Sequence, residues 1–120
     1  MEKIQRFEQL IAWQKAHAFV LEIYRITRGF PREELYGVTN QLRRAAVSVP
    51  ANIAEGFKRR SPQEKIRFYN IAQASLEEAR YYLILATDLE FIAPPRQLLD
   101  LADEVARLLN GLVESVKATT

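Results

Sequence analysis

Ser48, Asn52 and Glu55 stand three and four residues apart inside RRAAVSVPANIAEGFKRRS, residues 43–61. Such spacings put side chains on one helical face, so a hydroxyl, an amide and a carboxylate share a line with Gln41, Arg44 and Arg59. Groups of these types can hold an anion, bond to a neighbouring helix or move a proton. A serine nucleophile needs a base beside it. The only histidine, His17, lies among apolar residues and reads as a packed core or interface residue. Gln14 stands three residues before it, where the Glu-x-x-His motif of di-iron bundles requires a glutamate. The acidic pairs Glu33–Glu34, Glu77–Glu78 and Asp103–Glu104 are adjacent. Adjacent side chains diverge by about 100° on a helix, so these read as solvated or ion-paired groups. There is no cysteine, glycine-rich phosphate loop or zinc-ligand spacing. The chain therefore reads as non-enzymatic, with no cofactor and no metal.

Proline and glycine in the same stretch raise a second question. Pro50 lacks an N–H and leaves the carbonyl of Ala46 without its helical donor, at a cost of roughly 3 kcal/mol unless something relieves it. The segment is expected to be a helix kinked at Pro50. Two readings of its polar line stand. In one, Arg44, Ser48, Asn52 and Glu55 form a structural network with Ser75 and Glu78 of the next helix, Arg44 pairing with Glu78 and Asn52 or Ser48 satisfying the backbone. In the other, the kink opens a groove that presents Arg44 and Asn52 to a ligand.

The elements that must position these residues follow from periodicity. Segment A, from about Phe7 to Arg28, has Leu10, Trp13, His17, Val20, Tyr24 and Thr27 at helical spacing, with Ile11, Phe19, Ile23 and Ile26 widening the apolar side. GFP at 29–31 ends it, and PREEL is expected to add a short turn. Segment B, about Val38 to Arg60, is apolar through Leu42, Ala45, Ala46, Val49, Ile53 and Phe57. Segment C is capped by Ser61, with Pro62 at its first position and Glu64 completing a capping box. It runs to about Glu90 through Phe68, Ile71, Ala72, Ser75, Ala79, Tyr82, Ala86 and Leu89, and APP at 93–95 breaks it. Segment D, about Arg96 to Lys117, carries Leu98, Leu101, Ala102, Val105, Leu108, Leu109, Leu112, Val113 and Val116 on one side. No segment alternates with period two. The expected fold is all-α, an antiparallel up-down-up-down four-helix bundle, in one domain spanning residues 1–120.

Composition bounds the partners. The chain is 48% hydrophobic and 27% charged, an ordinary globular balance. No apolar run approaches the roughly 20 residues that span a bilayer, and the N-terminal stretch lacks the apolar core of a signal peptide, so no membrane is expected and the cytoplasm is the expected location. The net charge of +2 is uneven: residues 1–67 carry +6 and residues 68–120 carry −4. Lys58, Arg59, Arg60, Lys65 and Arg67 cluster at the B–C junction, and Arg25, Arg28 and Arg32 near the A–B junction. Together with Arg43, the B–C cluster is the candidate nucleic-acid contact, led by phosphate rather than base recognition. YYLIL at 81–85 covers the whole helical circumference with large apolar residues. A bundle helix buries one stripe, so Tyr81, Ile84 and Leu85 are expected to lie at an interface between copies.

Three blocks carry a family resemblance: FEQLIAWQKA at 7–16, FPREELYGVTNQLRRAAVSVPANIAEG at 30–56 and YNIAQASLEEARYYLILATDL at 69–89. Over residues 4–92 the chain resembles the four-helix-bundle proteins encoded within intervening sequences of 23S ribosomal RNA genes. That resemblance implies four antiparallel helices and a ring-like homopentamer. A more distant branch, the accessory proteins of diversity-generating retroelements, implies nucleic-acid binding in support of a reverse transcriptase. The expected function is a homo-oligomer that binds RNA or single-stranded DNA through basic ends, as an accessory to a nucleic-acid enzyme. The alternative is a protein-interaction scaffold without nucleic-acid binding, and an enzyme with an unrecognised site stands as a remote third reading.

Overall fold

In the computed structural model, residues 3–119 are described; Met1, Glu2 and Thr120, the outermost residues of the expected single domain, lie outside them. Four helices make up the fold: α1 (Ile11–Thr27), α2 (Val38–Lys58), α3 (Pro62–Asp88) and α4 (Arg96–Ala118). Each packs on its neighbours in the chain and α1 closes on α4, the diagonal backbones lying farther apart around one shared core. The result is an all-α, antiparallel four-helix bundle, 47 × 24 × 19 Å.

Heptad-like spacing explains the packing. Tyr69, Leu76 and Leu83 of α3 are buried seven residues apart, alternating with buried Ala72, Ala79 and Ala86. A row of large and small residues at spacings of three and four interdigitates with a facing helix. On α2 the facing row is Leu42, Ala45, Ala46, Val49 and Ile53, all buried, and α2 against α3 is the most extensive pairing in the molecule. Full burial of Leu76 or Leu83 stabilises by about 1.5–3 kcal/mol.

Two apolar stripes differ from the sequence expectation. On α1 the buried face is Ala12, Ala16, Phe19, Val20, Ile23 and Thr27, while Tyr24 and His17 are exposed. The alanines at 12 and 16 let the helix approach its neighbours more closely than a face built on Trp13 and His17. His17 is therefore not a core residue; its ring stacks on Trp13 at 5.0 Å. On α3 the expected Ala72, Ala79 and Ala86 are buried, but Tyr69, Leu76 and Leu83 take the places expected of Phe68, Ser75 and Tyr82, and Leu89 is 49% exposed.

Helix ends follow local chemistry. Phe7–Gln9 is a separate 3-10 turn rather than the start of α1, because the Gln9 side-chain oxygen accepts the Gln5 and Arg6 amides at 2.8 and 2.9 Å. PREEL supplies a second 3-10 turn, Arg32–Glu34. Ser61 accepts the Glu64 amide at 3.1 Å, but the box is half-formed, because the Glu64 carboxylate turns to Arg67 instead, also at 3.1 Å. Helix α3 stops at Asp88, short of Glu90. There the Phe91 amide bonds to Ala86 O and the Glu90 amide to Thr87 O, a Schellman stop that places Glu90 at φ 64°. Helix α2 continues through Pro50 without a break in its helical run.

Candidate nucleic-acid interface

Gly56 brings the C-terminus of α2 against the first turns of α3. A Cβ at position 56 would lie 2.6 Å from the Tyr69 ring, so only glycine permits this approach. Lys65 then reaches back and donates to Phe57 O at 2.7 Å and, weakly, to Gly56 O at 3.4 Å. Those are carbonyls at the end of α2, and a cation there opposes the negative end of the helix dipole. Burial between the two helix ends pulls the Lys65 ammonium below its ordinary pKa. Lys65 is thus held by the fold rather than offered to a ligand.

Around this turn the cluster divides. Arg59 pairs with Glu55 at 2.9 Å and Arg67 with Glu64 at 3.1 Å. Both guanidiniums stand over the Phe68 ring, each 4.7 Å from its centroid. Lys58 and Arg60 are exposed and have no acidic partner among the described residues. Lys58 also borders a shallow depression of about 350 Å3 shared with Gln5, Arg6, Phe7, Glu8, Ala54 and Phe57. At this turn five cations face the two paired carboxylates of Glu55 and Glu64, and among the described residues Lys58 and Arg60 are the members of the cluster without a polar partner.

Arg43 does not join them. It sits near the opposite end of the bundle, where its Nε donates to Thr27 Oγ1 at 2.8 Å and its guanidinium lies 4.6 Å over the Tyr24 ring. The ring contact uses the exposed position of Tyr24, which periodicity had placed on the apolar side. Arg44 is exposed beside it, and with Tyr24, Asn40, Arg43 and Val47 it lines an open groove of about 440 Å3. In the groove expectation Arg44 shares a groove with Asn52; the structure gives one with Arg44 and Ser48 but without Asn52, and its α1 wall was not foreseen because Ala12 and Ala16 turn inward and expose Tyr24.

The polar line contracts to three residues. Asn52 Nδ2 donates to Ser48 O at 2.8 Å and to Ser48 Oγ at 2.9 Å. Ser48 Oγ meets Ser75 Oγ at 2.7 Å across the α2–α3 seam. The amide therefore serves Ser48 O, not the Ala46 carbonyl that Pro50 leaves without its donor. Glu55 is outside the network, paired with Arg59. The expected Arg44–Glu78 bridge does not form. Glu78 instead faces Tyr82, whose phenol is raised above its ordinary pKa by burial first and by the Glu78 carboxylate second. Two hydroxyls and an amide bonded to one another offer no proton acceptor for catalysis. Among the described residues, no three His, Cys, Asp or Glu side chains group as a metal set.

On the outer side of α3, Tyr81 is 57% and Ile84 55% exposed, while Leu85 is half-buried. Asp103 of α4, ion-paired to Arg80 of α3, and Glu104, 3.7 Å from Lys15 of α1, tie the bundle together. No helix among the described residues is long and apolar enough to cross a membrane.

Fold and surface together define a small helical-bundle protein with cationic ends and an apolar outer face on its longest helix. The chain belongs to the family of 23S rRNA-intervening sequence proteins, whose sequence model matches residues 8–111 and so includes most of α4. Its fold is similar to a crystal structure of a protein of unknown function from the S23 ribosomal protein family of Bacteroides thetaiotaomicron. The two share 23% identity over 86% of this chain and 98% of the other, with a TM-score of 0.76. Among curated protein sequences, none matches.

Proposed function

We propose that this protein is a non-enzymatic homo-oligomer, a pentamer, that binds RNA or single-stranded DNA in the cytoplasm through its basic ends, as an accessory to a nucleic-acid enzyme such as a reverse transcriptase. The observation that carries the reading is the α2–α3 turn, where Lys58 and Arg60 stand exposed with no carboxylate partner among the described residues. Repetition around a ring multiplies such charges. Each neutralised phosphate releases counterions, so affinity grows with the number of contacts rather than with the small net charge of one chain. The exposed Tyr81 and Ile84 support self-association, since contiguous apolar surface favours an interface, and the family resemblance supports five-fold closure.

Fluorescence anisotropy of a labelled single-stranded RNA tests this. Binding is expected at low salt and should weaken steeply between about 50 and 200 mM salt. Lys58→Glu with Arg60→Glu should abolish it. Absence of any retention of RNA or single-stranded DNA at low salt would reject nucleic-acid binding. Recovery of a nuclease-resistant protein partner would then favour the scaffold reading, in which the same α3 face docks another protein.

A further inference from the structure

At the end of the bundle opposite Lys58 and Arg60, the α1–α2 connection borders a depression of about 200 Å3 lined by Thr27, Arg28, Arg32, Thr39 and Arg43 together with apolar Phe30, Pro31 and Leu35. Three features separate it from an ordinary basic surface. Arg43 is fixed: Thr27 Oγ1 accepts from its Nε at 2.8 Å while donating to Ile23 O at 2.7 Å, and the Tyr24 ring supports the guanidinium plane. That leaves the two terminal amino groups of Arg43 without a protein partner among the described residues. Thr39 is only 3% exposed, and its hydroxyl has no hydrogen-bond partner. A buried hydroxyl left unpaired costs about 1–3 kcal/mol, and such groups in folded proteins ordinarily find a partner. Arg28 and Arg32, both exposed at the rim, have no carboxylate partner among the described residues. Of the two nearby acids, Glu34 is engaged on the Val38 amide at 3.3 Å, and Glu33 is exposed.

We infer that this depression is a binding site for a tetrahedral oxyanion, a phosphate group held by the fork of Arg43, the hydroxyl of Thr39 and the rim charges of Arg28 and Arg32. A planar guanidinium already held by two contacts presents parallel donors at little further entropic cost, which suits phosphate. The hydroxyl supplies a neutral donor that a generic cationic surface lacks. The phosphate is either free inorganic phosphate or the terminal phosphate of an RNA strand. In the second case the inference rests on the nucleic-acid reading above; in the first it stands alone.

Titration with inorganic phosphate, followed by calorimetry and by amide shifts of Thr39 and Arg43, tests the site. Wild type should bind. Arg43→Gln should lose at least about tenfold in affinity. Arg43→Lys, which keeps the charge but not the fork, should lose affinity too. Thr39→Val should weaken phosphate binding while leaving the melting temperature unchanged or raised, because it removes an unpaired buried hydroxyl. That combination is not the mark of a merely structural residue. Lys58→Glu with Arg60→Glu should bind phosphate as wild type does. No phosphate binding by wild type, or equal affinity in wild type, Arg43→Gln and Thr39→Val, overturns the inference. Given phosphate binding, tighter retention of 5′-phosphorylated than of 5′-hydroxyl RNA assigns the site to RNA ends, and equal retention assigns it to free phosphate. Phosphate binding that survives while RNA binding fails leaves this site standing without the nucleic-acid reading; the reverse result removes the site alone.

Discussion

Single atoms decide much at the α2–α3 seam. Gly56→Ala would drive a methyl into the buried Tyr69 ring and against Lys65 O, 3.2 Å from the new Cβ. Overpacking of this kind costs about 1–3 kcal/mol, so urea denaturation should show a lower midpoint. Asn52→Ala removes two hydrogen bonds to Ser48 and should lower stability by about 1 kcal/mol. An unchanged melting temperature with lost RNA binding would instead make the polar line a ligand groove. Tyr69 adds a pH dependence. Burial raises its phenol above the ordinary value of 10.0, so above that pH the unfolded chain loses a proton that the folded chain keeps. The unfolded state then gains, and stability should fall as pH climbs past 10.0. Tyr69→Phe should flatten part of that alkaline decline in urea titrations.

The elements owe their limits to backbone chemistry more than to apolar pattern. Glu90 terminates α3 in the left-handed region at φ 64°, a conformation that costs a side-chain-bearing residue roughly 1 kcal/mol. Glu90→Gly should therefore stabilise the protein by up to about 1 kcal/mol, read as a higher midpoint in thermal or urea unfolding. The stop needs no glycine in sequence, so periodicity carries α3 two residues too far. At the other end of the same helix, Ser61 and Pro62 mark the start in plain view, since both act within the first turn. Position within the turn also explains Lys65. Its ammonium reads as a free cation in sequence, and the carbonyls it meets come from the preceding helix.

At the scale of the molecule, the outer face of α3 is among the apolar surfaces that a single chain leaves uncovered, as are Leu21 of α1 and Tyr36. Tyr81→Glu places a charge in the middle of that apolar surface. If copies of the chain cover it, sedimentation velocity should show the oligomer dissociating into smaller species. An unaltered sedimentation coefficient would remove α3 from the interface. The charge distribution belongs to this scale as well. The basic residues around Arg43 and those around Arg60 lie at opposite ends, so a ring would carry two separate cationic rims with different chemistry: free lysine and arginine at one, and an arginine fork with a buried hydroxyl at the other.

Amino-acid order by itself determined four helices, their order and the antiparallel bundle, because caps, breakers and helical periodicity act over a few residues. It also carried the Ser48–Asn52–Ser75 link in outline, since spacing puts those groups on facing sides of adjacent helices. It could not choose between two adjacent stripes on α1, because both are apolar at helical spacing. Only packing against α2 and α4 turned Ala12 and Ala16 inward and Tyr24 outward. The fates of the cations were tertiary too. A side chain's charge is written in its residue type, but whether a carboxylate, a carbonyl or nothing meets it depends on which helices come together. That rule ties up Arg59, Lys65 and Arg67, separates Arg43 from them, and leaves Lys58 and Arg60 without a carboxylate partner among the described residues.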